Sequence, residues 1–200
     1  MKFSALYQTY DAMREPNYAL KVGGKSLDVG DDARLTRVEC ELTCTRQAGV
    51  LALEAVLDPE QEHGAAWLDA FQPGAVCSFS IGYGKSLTEV FCGFLYDVLW
   101  SDPLNGTLML LEAVCLDVRG RLMLTSCADA GAQRAMSQMI QDILGQSCYS
   151  ELAKKRTIDP APKDWDLPAL RPGPSDYAVV CAAADFLCYE FYAFADELYF

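Results

Sequence analysis

The 200-residue chain is predicted to be mainly β with a few helices: an antiparallel barrel or sandwich, then a smaller portion mixing helices with short strands. Three observations predict this. Apolar and polar residues alternate with period two from residue 35 onward. Turn residues recur at regular spacing between 18 and 118, the mark of a meandering all-β domain. After Arg119-Gly120-Arg121 the apolar period changes to that of a helix.

Each element has its own local reason. Tyr18 to Val22 reads as a strand, turned by Gly23-Gly24 toward Ser26-Leu27. Gly30-Asp31-Asp32 is a loop by its turn chemistry. From Leu35, apolar Val38, Cys40, Leu42 and Cys44 alternate with Arg37, Glu39, Glu41 and Thr43, which gives one apolar and one charged face. Gln47-Ala48-Gly49 reverses the chain, and Val50 to Leu57 returns as its partner. Asp58-Pro59-Glu60 ends that strand because proline has no N–H for the ladder. Gly64 to Phe71 is a short helix closed by Pro73-Gly74. Ala75 to Ile81 and Thr88 to Trp100 are strands joined through Gly82-Tyr83-Gly84-Lys85. Asn105-Gly106 is a hairpin signal leading into a strand over Thr107 to Val118.

The strands at 88–100 and 107–118 carry apolar residues on both faces. Val90, Cys92, Phe94, Tyr96, Val98 and Trp100 form one face, and Phe91, Leu95 and Leu99 the other. A small barrel buries only one face of each strand. The second face therefore needs a cover, either a helix of the chain or a neighbouring subunit. Phe91, Leu95 and Leu99, with Leu111 on the next strand, are the expected interface residues.

Farther on, Met136, Met139, Ile140, Ile143 and Leu144 line one helix face, with Gly145 as its stop. Lys154-Lys155-Arg156 precedes a long loop that holds Pro160, Pro162, Pro168, Pro172 and Pro174. Ser175 or Asp176 caps a helix whose stripe is Val180, Ala183, Ala184 and Leu187. Glu190 to Ala195 and Glu197 to Phe200 read as two strands turned at Asp196. A chain that stops on an apolar strand exposes an edge. The expectation is that a partner completes it or that the architecture runs on elsewhere.

Composition narrows the function. An apolar share of 52% supports a large core, and a net charge of −12 disfavours a nucleic-acid-gripping surface. The nine cysteines show no C-x-x-C spacing, so a zinc ribbon or redox motif is not expected. Cys40, Cys44, Cys92, Cys115, Cys181 and Cys188 read as small buried hydrophobes of a reducing cytoplasm. The start lacks the apolar stretch of a signal peptide, and no run of apolar residues is long enough for a membrane segment.

Chemistry-bearing residues are sparse. His63 is the single histidine and stands in a polar helix entry, where a solvated role outweighs a Cys–His nucleophile pair. Asp97 and Asp117 sit in apolar strands, where capping or backbone bonding outweighs acid–base work. Asp28, Asp31 and Asp32 lack the spacing of a calcium loop. Gly82-Tyr83-Gly84-Lys85 lacks the frame of a phosphate loop, and its glycines suit a hairpin. No catalytic residue, cofactor or metal is expected.

The order of parts resembles the phage late-control D family of tail or baseplate hub proteins, whose module also opens type VI secretion spike proteins and contractile injection hubs. The residues that carry the resemblance are Phe71-Gln72-Pro73-Gly74, Ile81-Gly82-Tyr83-Gly84, Val90-Phe91-Cys92-Gly93-Phe94 and Leu111 to Asp117. In the second half they are Met136 to Leu144, Ser175-Asp176-Tyr177, Cys188 to Tyr192 and Glu197 to Phe200. The resemblance implies a tail-tube-like barrel over 1–125 and a second hub module, incomplete here, over 126–200. It implies a homotrimer whose barrels ring an axis, with tail tube protein and spike or baseplate proteins as partners. The place implied is a virion tail or injection-machine baseplate assembled in the bacterial cytoplasm. Glu39 and Glu41 are the expected channel-facing residues, a negative wall to which a passing polyanion does not stick. The competing expectations are a cytoplasmic small-ligand-binding barrel with Tyr83, Phe94 and Trp100 around its mouth, and a cysteine hydrolase using His63.

Overall fold

The computed structural model describes residues 5–6, 15–27, 30–104, 107–127, 136–160 and 175–200. The chain divides into two compact units, one of Met1–Cys40 with Val50–Cys115, the other of Glu41–Gly49 with Leu116–Phe200. The fold is mainly β.

In the first unit, β1 (Pro16–Val22) and β2 (Lys25–Leu27) form a hairpin across Gly23-Gly24, both at positive φ. β3 (Ala33–Glu41) and β4 (Val50–Leu57) follow, then helix α1 (Glu62–Ala70). β5 (Val76–Tyr83), β6 (Ser86–Leu104) and β7 (Leu108–Asp117) complete a seven-stranded antiparallel sheet in the order β2-β1-β5-β6-β7-β4-β3. The Asn105-Gly106 turn lies outside the described residues.

This sheet is rolled. Its two edge strands, β2 and β3, are separated in sequence only by the step from Leu27 to Ala33. Six Cα steps reach at most about 23 Å, whereas seven flat strands would hold their edges about 29 Å apart. The inner face is one continuous core of Leu20, Val22, Leu51, Leu53, Ala55, Leu57, Cys77, Phe79, Phe91, Leu95, Leu111, Ala113 and Cys115. Helix α1 adds Trp67 and Ala70, and Phe71 follows at its end. Trp67 stacks on Phe71 at 5.9 Å, and Phe71 meets Trp100 edge-on at 6.4 Å.

The β5–β6 hairpin explains why simple alternation misassigns part of β6. Phe79 pairs with Phe91 but Ser80 pairs with Glu89, so Val90 is an extra residue, a β-bulge. The bulge shifts the parity of inward positions, and Phe91 and Leu95 point into the core. Parity changes again after Leu95, since Val98 and Trp100 pack on the same core while Leu99 is outside at 56% exposure. The outer row is thus Cys92, Phe94, Tyr96 and Leu99. Its first two residues are buried and its last two open.

Two glycines hold the hairpin turn for different reasons. Gly84 has φ of 56°, which suits the first central position of a two-residue reversal. Gly82 has no positive φ, but an added Cβ would lie 1.9 Å from the Ser86 carbonyl oxygen.

The second unit contains helices α2 (Val118–Leu124), α3 (Met136–Leu144), α4 (Ser147–Ser150) and α5 (Asp176–Leu187). A three-stranded sheet of β8 (Lys155–Thr157), β9 (Tyr192–Phe194) and β10 (Glu197–Tyr199) accompanies them in the order β8-β10-β9. The expected stripes are buried: Met136, Met139, Ile140, Ile143 and Leu144 on α3, and Val180, Ala183, Ala184 and Leu187 on α5. The Ser175 side chain accepts from the Ala178 N–H and caps α5.

Three expectations change. β10 is not an open edge but the central strand, paired parallel to β8 and antiparallel to β9, with Phe200 6% exposed. Cys40, Leu42 and Cys44 are exposed rather than core: Cys40 stands near the exposed end of the edge strand β3, and 42–49 leaves the sheet. Cys188 is exposed too, at φ of 56° as the left-handed cap of α5, a place where glycine is usual. Cys92 and Cys115 are buried as expected, Cys77 joins them, and Cys181 is half-buried.

Candidate interaction surface

The residues with chemical potential are engaged in architecture. Asp32 reaches the start of α1, where its carboxylate accepts from the His63 and Gly64 N–H groups at 2.9 and 3.3 Å and bonds His63 Nδ1 at 2.9 Å. Desolvation opposes ionisation there. The backbone donors of Asp32, His63 and Gly64 and the charge of His63 outweigh it, holding the carboxyl below its ordinary value. His63 is therefore a half-exposed helix-entry residue tethered to an aspartate.

Asp117 is the N-cap of α2 and is buried. It accepts from the N–H groups of Arg119 and Gly49 at 2.8 and 2.7 Å, and it pairs with the Arg119 guanidinium at 2.6 Å. Arg119, fully buried, also donates to the carbonyls of Thr43 and Thr45. Tyr177 donates to the Arg46 carbonyl, and Arg46 pairs with Asp185 at 2.6 Å. These bonds hold the 41–49 segment within the second unit. Asp97, in contrast, is exposed on β6.

The cations of Lys154-Lys155-Arg156 are also placed. Lys154 pairs with Asp196 at 3.5 Å and Lys155 with Glu197 at 2.5 Å, while Arg156 donates to the carbonyls of Leu144 and Ala153. The described cysteines are free thiols. Among the described residues no group of three or more His, Cys, Asp or Glu side chains is placed to hold a metal ion. Among the described residues no helix is long and apolar enough to cross a membrane.

What the first unit offers is apolar surface, and it occurs in two places. The first is the outer side of β6 and β7, with Tyr96 and Leu99 at 53% and 56% exposure and Leu108 also open. Of the four expected interface residues, only Leu99 lies there. Phe91, Leu95 and Leu111 are at most 1% exposed and fill the core, because the bulge at Val90 and the inward row of β7 turn them inside.

The second place is the open end of the rolled sheet. The inward row of β1 and β5 emerges there from the core, with Tyr18 opposite Ile81 and Pro16 opposite Tyr83. With Val38, Thr88 and Val90 they line a groove of about 870 Å³ whose described lining residues are apolar or uncharged. Of the residues expected around a mouth, Tyr83 lines the groove, Trp100 packs on the core, and Phe94 is buried on the outer face. Sequence reading missed Tyr18 and Ile81. Period two puts them on the core side, and only the strand ends reveal that the core stops short of them.

Glu39 and Glu41 are exposed on β3. Glu39 is compensated by Arg37 at 2.5 Å, which also reaches Glu54 on β4 at 3.0 Å.

No family model matches the chain, and no curated protein sequence matches it. Solved structures do. The crystal structure of the 43 kDa tail protein of prophage MuSo2 from Shewanella oneidensis superposes with a TM-score of 0.65 at 15% identity, covering 92% of this chain and 54% of that one. The tail protein of Neisseria meningitidis MC58 gives 0.60 at 14% identity, covering 92% and 50%. The chain spans about half the length of these two tail proteins, and its fold is theirs over that half.

Proposed function

We propose that the chain is a structural, non-enzymatic component of a phage tail or contractile injection machine, of the baseplate hub type, joining tail tube to spike through a ring of barrel modules. The observation that carries this reading is the fold shared with two tail proteins across 92% of the chain. In this reading 1–125 is the tube-like domain and 126–200 the second hub module, and copies associate as a trimer. The open outer face at Tyr96 and Leu99 meets a neighbouring barrel, since interfaces of this obligate kind are large and hydrophobic. Glu39 and Glu41 face the channel. Replacing both by lysine is expected to leave assembly intact and to impair passage of cargo, measured as delivery per assembled particle. Failed assembly would assign them to an interface instead.

The functional test is location. An affinity-tagged copy expressed in the producing cells is expected to co-purify with tube and spike proteins and to label the tube–spike junction by electron microscopy. Recovery only as free protein, with no particle-bound fraction, would contradict the proposal.

One observation favours a second reading, a barrel that binds a small apolar ligand: the groove at Tyr18, Phe79, Ile81 and Tyr83, whose described lining carries no charge. A monomer that co-purifies with such a ligand and loses it on Ile81→Glu substitution would support that reading over the first.

A further inference from the structure

We propose that residues 42–49 are a conformational strap: the folded second unit grips them, and the grip keeps the edge strand β3 in its sheet, so that β3 frays when the strap is released. The starting point is how little else holds that strand. β3 stands last in the strand order, next to β4. Of its nine residues only Ala33 is buried. Leu35 and Val38 pack partly on the core, and the rest of the strand is exposed. Local opening is easiest where buried apolar contacts are few.

A tight two-residue turn holds a hairpin by itself. The link from β3 to β4 is longer, Leu42 to Gly49. Inside it the Thr43 hydroxyl donates to the Gln47 carbonyl at 2.9 Å. Its long-range ties run to the entry of α2 and to α5. The buried Arg119 guanidinium donates to the Thr43 and Thr45 carbonyls. Gly49 donates its N–H to the Asp117 carboxylate at 2.7 Å and accepts from the Asp117 N–H at 3.1 Å. A Cβ on Gly49 would lie 2.9 Å from that carboxylate, so the close approach requires glycine. From α5, Tyr177 donates to the Arg46 carbonyl and Asp185 pairs with the Arg46 side chain. These partners are in place only while α2 and α5 are folded, and the strap is covalently continuous with β3. A local opening in one region then changes the stability of the other. This proposal does not depend on the tail reading.

The test is hydrogen–deuterium exchange of the intact chain, read by mass spectrometry on peptides covering β3, β5 and β6. Tyr177→Phe with Arg46→Ala removes both ties to α5 and keeps the ring that meets Phe191. Protected β3 amides are expected to exchange about tenfold faster in this variant, with β5 and β6 unchanged. Ile140→Ala loosens the second unit from its buried α3 stripe without touching the strap. It is expected to speed exchange in α5 and in β3 together, again sparing β5 and β6. Unaltered β3 exchange in either folded variant would overturn the proposal, and so would equal acceleration of β3, β5 and β6, the mark of one global opening. Should Ile140→Ala fail to fold, the Tyr177→Phe with Arg46→Ala variant decides alone.

Discussion

Asp117 and Arg119 form a buried pair whose every charged end is matched: the carboxylate by two N–H groups and a guanidinium, the guanidinium by two carbonyls as well. Such a pair contributes little net stability while intact, yet breaking one side strands a buried charge and costs about 3–5 kcal/mol. Asp117→Ala is therefore expected to lower unfolding free energy by about that amount in urea titrations. The double change Asp117→Leu with Arg119→Met is expected to cost less than the single one, and a larger loss would show that the pair contributes beyond charge matching. Asp32 gives a pH signature. Its folded-state pKa is depressed, so its contribution is present above the unfolded carboxylate value of about 3.9. That contribution fades as pH falls through the lower, folded value. Between pH 5 and pH 3 the melting temperature of the natural chain is expected to fall more than that of Asp32→Asn, whose amide still accepts but does not titrate. Parallel falls would place the acid sensitivity on other carboxylates. The Asp117 cap was legible in the sequence, as an aspartate leaving a strand for a turn. The 41–49 partners of Arg119 were not, because they lie about seventy residues away and follow no local period.

At the scale of elements, legibility tracked how local the cause was. The α3 stripe and the Ser175 cap are set within a turn or two of helix, and both stand as read. The β9–β10 hairpin is likewise local, but its turn is Ala195-Asp196 rather than Asp196 alone, and that one residue sets Tyr192 opposite Tyr199. β8 was not read as a strand, because its three residues Lys155-Arg156-Thr157 carry no apolar alternation and owe their pairing to β10. The faces of β6 were misassigned where a bulge adds one residue, since a slip of one exchanges inside for outside. Deleting Val90 is accordingly expected to turn the residues on one side of it to the wrong face and abolish cooperative thermal unfolding. A cooperative transition near the natural midpoint would show that the bulge does not set the register. Gly82→Ala is expected to cost about 1–3 kcal/mol as the hairpin shifts to relieve the contact with Ser86. An unchanged midpoint in denaturant would contradict the geometry drawn from that close approach.

For the molecule as a whole, the fold class and the doubly apolar character of β6 were legible, but the identity of the residues left for a neighbour was not. Cys92 and Phe94 are already buried, while Tyr96 and Leu99 remain open. The central claim is that this open strip meets another barrel module. Sedimentation equilibrium of the purified chain, alone and as Tyr96→Glu with Leu99→Glu, tests it most directly. The account predicts a trimer mass for the natural chain and a folded monomer, with the same circular dichroism, for the double variant. A natural chain that stays monomeric at every concentration, or a double variant that associates just as strongly, would contradict it.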